Sequence, residues 1–298
     1  MRQIAECFEN VSVLEKEYDF DRGGHKQDEA HFDCMESLLK TNWNHAITLQ
    51  NFDLIIKTPK QLSELSKLLN YTSIMGSDIA LKERYTVNVD WTPAGMKLFK
   101  NDFEKDVPDE ILHRKLVIRK SLNQVILSKV FVKSIFEKIN LNEVIRRFDN
   151  KSMFGVDEMM VMTLFENNLG LDGQMESDCT EEHGDELTRF TDWDFNQPDG
   201  YAPECKSNWL RHSICVLGVE YLEDLVKSPM VLANKVIPSF DFGTVLCTRE
   251  MMKKKRTGKI PDAEWLSARF PQFKEMEMKK NGIYDRKNFD CAIVKPSL

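Results

Sequence analysis

A chain of 298 residues with 42% hydrophobic and 30% charged content has enough apolar material to bury a full globular core. Its net charge of −7 argues against a nucleic-acid binder, and the basic run Lys253-Lys254-Lys255-Arg256 reads as a solvated face. No stretch approaches the roughly 18 to 20 apolar residues of a spanning helix, and Met1-Arg2-Gln3-Ile4 does not open a signal peptide.

In chain order, Ile4 to Leu14 reads as the end of a helix, a turn and a short strand. Asp19 to Lys40 opens on a Gly23-Gly24-His25 turn and continues as a helix, with Ala30, Phe32, Met35, Leu38 and Leu39 at helical spacing. Trp43 to Lys57 has the β-rich apolar run of a buried strand, and Gln61 to Asn70 reads as a short helix. A polar stretch follows and ends in Lys82-Glu83-Arg84-Tyr85. Asn123 to Leu127 is a strand that runs through Ser128 into a helix. After a turn at Gly155, Val156-Asp157-Glu158 opens another helix, where paired acids favour the positive end of the helix dipole.

The stretch from Leu171 to Gly200 is an acidic loop region carrying Arg189-Phe190 and Trp193. Then come a basic, cysteine-flanked strand (Trp209 to Leu217), a turn at Gly218, an amphipathic helix (Glu220 to Val226) and a loop ending in Ala233-Asn234-Lys235. Beyond Cys247 the chain is charged and weakly periodic, so the reading divides it into residues 1–250 and a charged extension over 251–298. The odd count of seven cysteines leaves at least one outside an intrachain pair, and the set suits either disulfides or buried free thiols. Sequons stand at Asn10, Asn70 and Asn150.

Several of these segments together resemble the Core-2/I-branching β-1,6-N-acetylglucosaminyltransferases. The matching pieces are Ile4-Ala5-Glu6-Cys7-Phe8, the run from Trp43 to Thr58 with Asp53 and Lys57, Lys82 to Tyr85, Ser128 to Val132, Asp157-Glu158, Arg189-Phe190 with Trp193, and the stretch from Cys205 to Lys235. The resemblance implies an α/β nucleotide-sugar glycosyltransferase fold of the GT-A-like type, a Rossmann-like mixed sheet flanked by helices whose amino-terminal unit is incomplete. It also implies inverting transfer of N-acetylglucosamine from UDP-N-acetylglucosamine to the 6-position of a glycan, without a metal or other cofactor. The implied setting is the Golgi lumen, with a type II membrane anchor that this sequence does not show.

Residue by residue, the resemblance gives Lys235 and either Arg211 or His212 to the donor diphosphate, since preorganised cations stabilise the charge on a departing UDP. Lys82, Arg84 and Asp157 fall to the acceptor, and Cys205 and Cys215 to a local disulfide. It places the general base at Val130, which has no proton to exchange, so Glu158 becomes the substitute carboxylate. Two functional readings follow, a transferase and a catalytically inactive relative that binds glycan or nucleotide-sugar. A third reading takes the sequence as a fragment of a longer protein.

Overall fold

The computed structural model describes residues 2–177, 179, 187–193, 205–254 and 256–292. Several helices start where the sequence supplies a capping side chain. Thr58 Oγ1 accepts from the Gln61 backbone N–H while the Gln61 side chain takes the Thr58 N–H; with Pro59 in the first turn, this reciprocal cap opens the helix Pro59–Leu69. Ser128 ends a strand and at once caps Lys129–Lys138, its Oγ accepting from the Phe131 N–H at 3.3 Å. The helix expected over 19–40 is Gln27–Leu39, and it buries Ala30, Phe32 and Met35.

The strands are short: β1 (His45–Ile47), β2 (Leu54–Ile55), β3 (Asp78–Ile79), β4 (Arg119–Lys120), β5 (Ile126–Ser128), β6 (Arg189–Phe190), β7 (Leu210–Arg211), β8 (Ile214–Cys215) and β9 (Leu232–Ala233). β1 pairs antiparallel with β5, His45 opposite Ser128. β9 lies between β2, antiparallel, and β6, parallel. β3 with β4 and β7 with β8 form two further antiparallel ladders. Helices and mixed pairing make the class α/β. Among the described residues, however, the strands form four narrow sheets of two or three strands rather than the one wide sheet expected.

Backbone turns explain the narrowness. The apolar run 43–57 is cut into β1 and β2 at Phe52, whose φ is +73°. The segment Trp209 to Leu217, expected as one strand, is a hairpin because His212 and Ser213 take φ of +55° and +58°. Two left-handed residues are what a two-residue hairpin turn needs, and histidine tolerates that region better than most residues do. The strand expected before Leu14 does not form among the described residues, where Ile4 lies in the helix Arg2–Cys7. Part of the expected acidic loop over 171–200 lies outside the described residues.

One core gathers Phe32, Trp91, Leu127, Phe131, Val144 and Phe165 with the methionines of Met160–Glu166. A second joins Leu65, Leu69, Ile126 and Leu232 to Leu266, Phe270, Phe273 and Met276. The stretch 251–298, set apart in the sequence as a charged extension, therefore supplies core residues, each full burial being worth about 1.5–3 kcal/mol. A disulfide from Cys179 to Cys291 fastens it further, and Cys205 is joined to Cys215. Among the described residues Cys7, Cys34 and Cys247 carry free thiols.

Candidate functional site

The segments leaving β1 and β9 meet beside Asn123 and Gln124. From β9 the chain continues into Asn234, which is buried and donates through Nδ2 to Asp53 Oδ1 at 2.7 Å. Asp53 also accepts from the Gln50 N–H at 2.6 Å and from Gln124 Nε2 at 3.0 Å. Gln124 Oε1 in turn takes Arg189 Nη1 at 2.9 Å, and the Arg189 guanidinium lies over Trp193, 5.8 Å from the ring centre. These hydrogen bonds tie the segment after β9 to the β1–β2 turn and so fix the backbone on which the next residue stands.

That residue is Lys235. Its carbonyl accepts from the Leu217 N–H at 2.7 Å, and its half-buried ammonium donates to the Arg211 carbonyl at 3.1 Å. Burial, followed by the charges of Arg211 and Arg189, holds its pKa below the ordinary lysine value. Arg211 lies over Phe52, 4.7 Å from the ring centre. His212, beside it at the hairpin tip, is exposed, and burial with the charges of Lys235, Arg22 and Arg211 lowers its pKa below 6.5. At neutral pH the histidine is therefore uncharged, and the cationic pair is Arg211 with Lys235. The sequence reading missed Phe52 and Arg22, which no charge pattern distinguishes from ordinary loop residues.

Asn123 faces the other way. Its Nδ2 donates to Asp157 Oδ2, and burial, reinforced by the Glu158 charge, pushes the Asp157 carboxyl up to about 6. Asp157 lies in the 3-10 turn Val156–Glu158, which is anchored by Val156 N–H on the Gly23 carbonyl (3.0 Å) and Ser121 N–H on the Glu158 carbonyl (2.8 Å). The Glu158 carboxylate meets Arg84 at 2.8 Å and Lys120 at 3.8 Å, and Lys120 reaches Asp78 at 3.9 Å. Lys82 is exposed and takes no part in this group. A cavity of about 50 Å³ is lined by Asp78, Lys120, Ser121, Gln124 and Thr188 among others. A larger cleft of about 590 Å³, between Thr58–Gln61 and Arg249–Thr257, holds none of the donor or acceptor candidates.

Val130 is placed differently. It is the second residue of Lys129–Lys138, 43% exposed, and follows the end of β5 remote from Gln124. Four extended residues from Gln124 to Ser128 span about 13 Å. Its neighbour Lys129 points back to the Thr41 carbonyl. Of the sequons, Asn10 and Asn70 are exposed, whereas Asn150 Nδ2, the atom a glycan would use, donates to Thr86 Oγ1 at 2.8 Å. Among the described residues, no three His, Cys, Asp or Glu side chains gather as metal ligands, and no helix is long and apolar enough to cross a membrane.

The scaffold that carries these residues is a mixed α/β one, with helices and short strand pairs. Residues 1–226 match the profile of the Core-2/I-branching enzymes, and the chain belongs to that family. Over 94% of its length it is 25% identical to a Homo sapiens protein named probable beta-1,3-galactosyl-O-glycosyl-glycoprotein beta-1,6-N-acetylglucosaminyltransferase 7. The chain spans 64% of the length of that relative.

Proposed function

We propose that this chain carries the catalytic scaffold of an inverting glycosyltransferase of the GT-A-like type. It would move N-acetylglucosamine from UDP-N-acetylglucosamine to the 6-hydroxyl of a glycan, with a β-1,3-galactosyl O-glycan as the first acceptor to try. The observation that carries this reading is that consecutive residues bind the two halves of the site: Gln124 holds the Asp53–Arg189 network beside Lys235, and Asn123 holds the Asp157–Glu158 turn. Two networks held by consecutive residues of one backbone suit a reaction that joins two bound sugars.

In this reading Lys235 and Arg211 neutralise the charge that develops on the departing diphosphate, a task a divalent metal performs in many nucleotide-sugar enzymes. Glu158 accepts the proton of the attacking hydroxyl, and Arg84 fixes the direction of its carboxylate. The oxygen attacks from the face opposite the leaving group, which inverts the anomeric centre. The setting would be the Golgi lumen, with any membrane anchor supplied by chain outside this sequence.

The test follows UDP release from UDP-N-acetylglucosamine with and without the galactosyl acceptor, in the wild type and in Glu158→Gln. Acceptor-dependent release that falls in the variant supports the reading. UDP binding without any acceptor-dependent release would instead assign the chain to the inactive, nucleotide-sugar-binding relatives.

A further inference from the structure

The turn between β1 and β2 holds the loop after β9 by two independent contacts. The Phe52 carbonyl accepts from the Val236 N–H at 2.9 Å, and the next residue, Asp53, takes the Asn234 side chain at 2.7 Å. Lys235 stands between these two fastened residues. Phe52 reaches this arrangement with φ at +73°, a conformation that residues with a Cβ normally avoid. The same backbone sets its ring 4.7 Å from the Arg211 guanidinium carbon.

Arg211 needs such a support. It is the last residue of β7 before the left-handed turn at His212 and Ser213, it is exposed, and it makes no ion pair with a described residue. A long side chain in that position has many rotamers, and the Lys235 ammonium, bonded to the Arg211 carbonyl at 3.1 Å, repels its charge. Left to itself the guanidinium would turn toward solvent, away from the lysine. An aromatic face attracts it by the ring quadrupole and matches its planar shape.

We propose that Phe52 is a positioning residue whose ring holds the Arg211 guanidinium beside Lys235, so that the two cations together face the diphosphate of a nucleoside-diphosphate donor. This inference rests on the donor-site reading above and adds to it the residue that assembles the pair. Phe52 touches no part of the ligand; it acts through Arg211. The disulfide Cys205–Cys215 complements it by tying the hairpin that carries Arg211, since Cys215 pairs with Leu210 across the ladder.

The experiment is a calorimetric titration with UDP of wild type, Phe52→Met, Phe52→Trp and Arg211→Ala, and of the double variant Phe52→Met/Arg211→Ala, with thermal unfolding as a check on folding. Methionine fills much of the same space without a ring, and tryptophan keeps the aromatic face. Phe52→Met should weaken UDP binding about two- to fivefold, the weight of one exposed cation–π contact, and Phe52→Trp should bind as the wild type does. In the Arg211→Ala background the Phe52→Met change should add nothing. An equal loss with and without Arg211, or no loss at all, overturns the proposal. If Phe52→Met does not fold, Phe52→Leu repeats the comparison. Failure of the underlying reading is separately visible: wild type that does not bind UDP, or Lys235→Ala that binds it equally well, removes the donor site and this inference with it. Loss with Lys235→Ala but not with Phe52→Met removes this inference alone.

Discussion

Arg84 Nη2 lies 2.8 Å from Glu158 Oε2, and the residue that allows this approach is Gly155. Gly155 has φ of +68°, and a Cβ built on it would fall 1.6 Å from Arg84 Nη2. Alanine at 155 would both strain the turn and push the guanidinium off the carboxylate. Gly155→Ala is expected to destabilise the protein by about 1–2 kcal/mol through its backbone conformation. It should also lower acceptor-dependent turnover about tenfold or more through the misplaced carboxylate. UDP affinity should not follow, because Lys235 lies in the other group of residues. Urea unfolding, turnover and calorimetry separate the three effects, and a parallel loss of UDP binding would contradict the division of the site.

Asp157 makes stability depend on pH in an unusual direction. Its carboxyl is raised from 3.8 to about 6, so the unfolded chain loses this proton before the folded one does. Between about pH 4 and 6 the folded state binds more protons, and stability therefore falls as pH rises, by about 3 kcal/mol once pH 7 is reached. Asp28, held well above its ordinary value by burial and then by Asp157 and Asp149, acts with the same sign. Asp157→Asn keeps an acceptor for Asn123 and removes one titration. The variant should match wild type near pH 4 and exceed it at pH 7. Urea midpoints at the two pH values check this, and a wild-type advantage growing toward pH 7 would reverse the sign.

Much of this arrangement was legible in the sequence, but only where local chemistry decides structure. The helices Pro59–Leu69 and Lys129–Lys138 follow from caps and periodicity written in Thr58, Gln61 and Ser128. The family was readable because its motifs keep their order along the chain. The Phe52–Arg211 contact and the Asn123–Asp157 bond were not readable, since they join residues brought together only by tertiary folding. His212 and Ser213 carry no glycine or asparagine to mark a turn, so the hairpin looked like one strand. The helices Ala263–Arg269 and Pro271–Lys280 were underestimated for a related reason: apolar residues there are few, yet Phe270, between them, and Phe273 are fully buried.

The two disulfides differ in the loops they close. Cys205–Cys215 spans a separation of 10 residues and Cys179–Cys291 one of 112. Chain-entropy arguments give about 3 kcal/mol for the first and about 5 kcal/mol for the second. Peptide mapping of unreduced protein from an oxidising compartment should recover both pairs. Cys291→Ser should lower the melting temperature more than Cys215→Ser does, while only Cys215→Ser should weaken UDP binding, because its hairpin carries Arg211. Free thiols at 179 and 291 in such a preparation would remove the second pair.

Lys235 is the principal donor contact in the proposed function. Lys235→Ala should weaken UDP binding by about 1.5 to 3 kcal/mol, the range for a hydrogen bond to a charged group. Burial and the neighbouring arginines lower its pKa, so the ammonium deprotonates earlier than an ordinary lysine as pH rises. UDP affinity should therefore begin to fall at lower alkaline pH than an unperturbed lysine would give, and that fall should be absent from Lys235→Ala. Calorimetry across the alkaline range reads both effects, and an identical pH profile in the two proteins would place the titrating group elsewhere.

The proposed function gives the role of base to Glu158 and not to Val130, and the positions of the two residues support that choice. The Glu158 carboxylate is held by Arg84 and Lys120, and Lys120 lines a small cavity with Gln124. Val130 emerges past Ser128, at the end of β5 away from Gln124, and a glutamate there would face solvent near the start of its helix. Val130→Glu is thus expected to add no turnover, while the helix dipole makes it stabilising by about 0.3–1 kcal/mol. Glu158→Gln, with a side chain of nearly the same shape, should lower acceptor-dependent UDP release by about 10² to 10⁴, the usual contribution of a general base, and leave UDP affinity unchanged. The double variant should be as inactive as Glu158→Gln alone. Recovery of turnover in the double variant would return the base to position 130 and leave Glu158 as an acceptor-orienting partner of Arg84. Loss of UDP binding in Glu158→Gln would show instead that the two halves of the site are not separable.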